Sequence, residues 1–73
     1  MMEEAKRENV GKRIQMHAAT DAWMSGDRFG EIIGIGRARA YTHEAELVRP
    51  YRVKLDKSGR TVRVHPCNLF LAD

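Results

Sequence analysis

The sequence predicts an all-β fold, a small five-stranded barrel. Three observations carry that expectation. Residues 51–65 alternate apolar and polar side chains on both sides of a tight turn, the pattern of a β-hairpin. Residues 29–37 form a β-branched run, Ile32, Ile33 and Ile35, broken by Gly30, Gly34 and Gly36. Such glycines mark bends or bulges, and a strand that bends hard can serve both walls of a small barrel. Third, the elements follow an order of strand, long loop, bent strand, variable loop, tight hairpin, 3₁₀ turn and closing strand.

At 73 residues the chain has room for one domain. A domain of this size hides only about 60% of its unfolded surface, so each buried contact weighs heavily. Residues 1–9, rich in charged side chains, are expected to be a flexible N-terminal segment, and 10–73 the folded domain. Val10, Ile14 and Met16 alternate with Gly11, Gln15 and His17, which predicts a first strand with those three apolar side chains inward. Residues 18–27 lack a strand period and are expected to form a long loop, with one helical turn capped by Thr20 or Asp21 and closed at Gly26-Asp27. Residues 38–49 fit either a short helix behind Thr42 or the tip of a long hairpin.

The register of the 51–65 hairpin follows from its side chains. Facing residues share a side of the sheet, so apolar must meet apolar across the turn. A loop of Lys57-Ser58-Gly59 would set Val53 against Arg63. A loop from Asp56 to Gly59 instead sets Leu55 opposite Arg60, Val53 opposite Val62 and Tyr51 opposite Val64, with Gly59 last, where a left-handed residue is wanted. Tyr51, Val53, Leu55, Val62 and Val64 then line the core, and Arg52, Lys54, Arg63 and His65 the outer face. Pro66 stops the strand, 66–68 suit a 3₁₀ turn and 69–71 a closing strand.

Formal net charge is +3. It is unevenly spread: between Arg49 and His65 stand six basic residues and one acid, Asp56. The hairpin therefore carries the whole basic excess. Its outer row can face an anion or serve as a solubilising, aggregation-blocking exterior. In the expected register Arg52 and Arg63 are neighbours, which costs a few tenths of a kcal/mol, about 0.2–1 at most, unless an anion relieves it.

The element order resembles the Src-homology-3-like small barrels, including their KOW, Tudor and Sm-like relatives. The carrying residues are Gly11-Lys12-Arg13-Ile14, Gly30-Glu31-Ile32-Ile33, the turn Asp56-Lys57-Ser58-Gly59, and Pro66-x-Asn68-Leu69. The resemblance spans residues 10–72 and implies nucleic-acid, ribosome, polymerase or peptide binding without a cofactor. Residues 17–30 also look like a stretch in short open reading frames of tailed bacteriophages and their bacterial relatives, which implies host cytoplasm as the setting. Proline-rich ligand binding does not fit, because Trp23 sits in the first loop rather than after the central turn.

Other constellations point away from catalysis. His65 and Cys67 lie close in sequence, with His17 and His43 elsewhere, but structural zinc draws on four N or S ligands and this chain has one thiol. No metal and no cofactor are expected. Cys67 is expected to plug a barrel end rather than act as a nucleophile, and with no disulfide the chain fits a reducing cytoplasm. Residues 34–39 lack the third glycine of a phosphate-binding loop. Asp21 and Asp27 read as backbone caps. No apolar stretch approaches the ~18 residues of a membrane span.

The function expected is a non-enzymatic binding module with no small-molecule substrate. Arg52, Lys54 and Arg63, the tip residues Lys57 and Arg60, and Arg13 would contact nucleic-acid phosphates or another acidic surface without reading sequence. The competing reading is a protein interaction or assembly module that uses Trp23, Met24 and Tyr41 or an exposed strand edge. Trp23 is expected to serve as a lid on the core, with Met24 left outward.

Overall fold

The computed structural model describes residues 4–40 and 47–72. Strands run over β1 (Arg13–Met16), β2 (Phe29–Ile35), β3 (Arg39–Ala40), β4 (Leu47–Val48), β5 (Tyr51–Leu55), β6 (Thr61–Val64) and β7 (Leu69–Leu71). One helical turn, α1 (Asp21–Met24), and 3₁₀ turns at Arg7–Asn9 and Pro66–Asn68 complete the chain. Five strands form one antiparallel sheet in the order β6-β5-β2-β1-β7, and β3 pairs with β4 as a separate ribbon. β6 and β7 are the two edges of that sheet and do not pair with each other, so the expected barrel is an open five-stranded sheet. Near the ends of the 38–49 segment Arg39 pairs with Val48 and Ala40 with Leu47, and residues 41–46, the place of the expected short helix or hairpin tip, lie outside the described residues. Tyr41 and His43 lie outside the described residues.

The hairpin register is the expected one. Tyr51 faces Val64, Arg52 faces Arg63 and Val53 faces Val62. The Leu55 amide donates to the Arg60 carbonyl, and Gly59, with φ of +73°, donates back to the Leu55 carbonyl. On the inner side Ile14, Met16, Ile32, Tyr51, Val53, Leu55, Val64 and Leu69 form the core. Each such aliphatic side chain contributes about 1.5–3 kcal/mol when removed from water. β2 is bent as anticipated: its register with β5 shifts between Ile32 and Gly34, a bulge. At Gly30 the strands approach so closely that a Cβ would stand 2.6 Å from the Lys54 carbonyl oxygen.

Three local expectations are corrected. Val10 is exposed and precedes β1, because Gly11, at φ of +94°, turns the chain before the strand begins. Residues 5–9 are not a free tail. The Ala5 amide donates to the Arg49 carbonyl, and Lys6 N and Asn9 Nδ2 both donate to the Tyr51 hydroxyl, at 2.9 and 2.7 Å. Cys67 is exposed rather than plugging the core, because the 3₁₀ turn buries Pro66 and turns the thiol outward.

Candidate anion-binding site

Alternation in β5 and β6 turns Arg52, Lys54, Thr61 and Arg63 to the side opposite the core. Lys54 is the register partner of Glu31, so a carboxylate stands across the strand pair from it, with no ion pair between the two. Arg52 and Arg63 have each other instead. Among the described residues neither pairs with a carboxylate. Their side chains lie along β2 and the residues after it. A Cβ at Gly34 would meet the Arg52 guanidinium at 3.5 Å, and one at Gly36 would meet Arg63 Cδ at 3.6 Å. The missing side chains of Gly34 and Gly36 make the bed on which the two arginines rest.

Arg39, on β3, joins them. It lines one open surface depression together with Arg52, Thr61, Val62 and Arg63. Arg52, Arg63 and Thr61 around one depression bring side-chain hydrogen-bond donors of the kind that suit a phosphate or carboxylate, with Arg39 also lining it. Sequence reasoning missed Arg39, because its position depends on how the 38–49 segment folds back. The nearby Arg37-Ala38-Arg39 spacing was the available signal.

The remaining candidates are dispersed. Arg13 forms a two-pronged ion pair with Asp56, Nη1 donating to Oδ1 at 3.1 Å and Nη2 to Oδ2. The Arg13 hydrogen bonds hold the Asp56 carboxyl below its ordinary value of 3.8. Arg13 therefore does not extend the patch: its charge is met within the sheet. Lys57 folds over Gly26, where a Cβ would stand 2.6 Å from its Nζ. Arg60, on the same side as Leu55, lines a cleft with Thr20, Asp21 and Asp27 beside the inner face. His65 leaves the outer row altogether: it is buried, and its Nδ1 accepts the Cys67 amide at 3.0 Å, capping the 3₁₀ turn.

The long loop is built from within. The Thr20 hydroxyl caps α1 by accepting the Trp23 amide at 3.2 Å. Asp27 caps across the fold, its Oδ1 accepting the Ser58 amide at 3.1 Å and so fastening the hairpin tip to the loop. Trp23 packs half-buried against the core with the Arg28 guanidinium 4.5 Å from its ring centroid, while Met24 is 76% exposed. Among the described residues no group of His, Cys, Asp and Glu is placed to hold a metal ion. Among the described residues no helix is long and apolar enough to cross a membrane. Comparison with family models, curated proteins and solved structures finds no match to this chain.

Proposed function

We propose that this chain is a non-enzymatic binding module of the Src-homology-3-like kind, which engages nucleic-acid phosphates through Arg52 and Arg63 with Arg39 beside them. The observation that carries the reading is the arginine pair itself, in direct register and without a carboxylate among the described residues. An anion seated between the two guanidiniums relieves a repulsion that the sheet otherwise bears. The strand order β7-β1-β2-β5-β6, the long loop between the first two strands and the 3₁₀ turn before the last support the kinship with small barrels. An exposed free thiol suits a cytoplasmic setting.

Phosphate contacts of this kind position a ligand without reading bases. The test is the salt dependence of oligonucleotide binding, followed by fluorescence anisotropy. Log K falls with log salt by about 0.7–0.9 per neutralised phosphate, and Arg52→Ala or Arg63→Ala each lowers the slope by about one. A salt-independent affinity, or a double variant that binds as the parent does, overturns the reading.

A further inference from the structure

The same sheet face carries a second feature, at the end away from the arginines. Gln15 is the register partner of both Phe29 on β2 and Phe70 on β7, so the two phenylalanines flank it on one side of the sheet. Strand spacing puts their Cα atoms about 10 Å apart. Both point away from the core residues Ile14, Met16 and Leu69, and they are 49% and 55% exposed. The His17 ring stacks on Phe70, with centroids 5.6 Å apart and planes inclined by 26°. His17 is held there by its Nδ1, which accepts the Ala19 amide at 3.0 Å.

Along the strands the face is graded. Arginines 52 and 63 stand at one end. In the middle Glu31 lies between its register partners Arg13 and Lys54, and Asp56, beside Phe29, takes the Arg13 guanidinium. The aromatic row closes the other end, about 13 Å from the arginines at four residues' rise. We propose that this face is a platform for single-stranded nucleic acid: phosphates seat at the arginine end, and unpaired bases stack on Phe29 and on the Phe70–His17 pair.

The inference rests on the anion-binding reading above and adds the strandedness of the ligand. Charge complementarity selects a polyanion. The aromatic row then selects one whose bases are free, because a duplex keeps its bases stacked on each other and offers an apolar side chain on a sheet face little to hold. Stacking of this kind tolerates any base, so little sequence preference is expected. Two rings separated by the polar Gln15 also differ from the continuous apolar core that a stable self-association surface presents.

The experiment uses the whole chain with fluorescein-labelled oligo-dT and oligo-rU of about ten nucleotides, and a duplex carrying the same number of phosphates. Both single strands are expected to bind more tightly than the duplex. Phe29→Ala and Phe70→Ala are each expected to weaken single-strand binding by roughly 5- to 100-fold, while changing duplex binding little. Phe29→Leu and Phe70→Leu keep the apolar bulk but lack the ring, and the same loss is expected from them. Circular dichroism verifies that each variant folds.

If the phenylalanine variants bind like the parent while Arg52→Ala still weakens binding, the platform falls and the anion site stands. If the duplex binds as tightly as the single strands, the platform falls as well. If no polyanion binds and sedimentation shows a self-association that Phe29→Ala abolishes, the face belongs to a second copy of this chain, and both readings are overturned.

Discussion

The Tyr51 hydroxyl accepts the side-chain amide of Asn9 at 2.7 Å, across 42 residues of sequence, and accepts the Lys6 amide as well. One buried phenol thereby fastens the N-terminal 3₁₀ turn to β5, the strand that carries Arg52. Tyr51→Phe keeps the ring in the core but leaves the buried Asn9 amide without that acceptor. The expected cost is about 1–3 kcal/mol. In a domain of this size that lowers Tm by roughly 4–8 °C per kcal/mol. Thermal unfolding followed by circular dichroism measures it, and limited proteolysis at Arg7 should quicken in parallel. Oligonucleotide affinity should not change, because Tyr51 faces the core and not the outer row.

Arg63 is expected to trade stability for binding. Its register partner is Arg52, so replacing one charge by a neutral residue of similar reach removes a cross-strand repulsion. Arg63→Gln should raise stability by a few tenths of a kcal/mol, about 0.2–1 at most. The same substitution should weaken anion binding and flatten its salt dependence. Urea unfolding and anisotropy titrations on one preparation measure both quantities. A variant that loses stability and keeps its affinity would mean that the arginines serve as ordinary exterior.

The hairpin was legible in the sequence because its two constraints are local: apolar side chains must meet across the turn, and Gly59 supplies the left-handed residue that the loop requires. The capped turn at Thr20, the inward Trp23 and outward Met24, and the bend at the β2 glycines were legible for the same reason. What stayed hidden depends on long-range closure. Nothing near Asn9 indicates that a tyrosine hydroxyl 42 positions away will hold it. Arg13 looked like an extension of the basic patch until folding brought Asp56 against it. His65 continued the alternation on paper, but Pro66 ended the strand and turned the imidazole into a cap. Phe29 read as the start of the bent strand, and Phe70 as part of the closing one, with no face assigned to either. Both proved to be outward.

Two glycines, Gly30 within β2 and Gly59 in the hairpin loop, should respond differently to the same substitution. At Gly59 an added methyl meets nothing within 4 Å, but φ is +73°, so Gly59→Ala pays only the backbone cost of a left-handed L-residue, about 1–2 kcal/mol. At Gly30 the added methyl would stand 2.6 Å from the Lys54 carbonyl and 2.9 Å from a Val53 methyl. Neither the strand backbone nor the fully buried Val53 can move aside without parting β2 from β5. Gly30→Ala should therefore be clearly the more damaging of the two. Gly59→Asn, which tolerates the left-handed region, should recover part of the Gly59→Ala loss. Denaturation midpoints for the three variants rank them.

Asp56 gives the fold a defined acid sensitivity. Its carboxyl is held below 3.8 first by the Arg13 hydrogen bonds and then by the Arg13 charge, partly opposed by desolvation. A carboxyl whose folded-state pKa is depressed binds protons more readily when unfolded, so stability falls as pH falls. The contribution is fully present above 3.8 and is lost as pH drops below that value through the folded-state pKa. Asp56→Asn cannot titrate and should be less stable than the parent near neutrality, with the gap narrowing once the parent carboxyl is protonated. Because both side chains are about half exposed, added salt should shrink the same gap at neutral pH. Urea midpoints of parent and variant, measured from neutrality down to about pH 2 and at low and high salt, test both effects. A gap that ignores pH and salt alike would show that Asp56 acts through the shape of the turn and not through its charge.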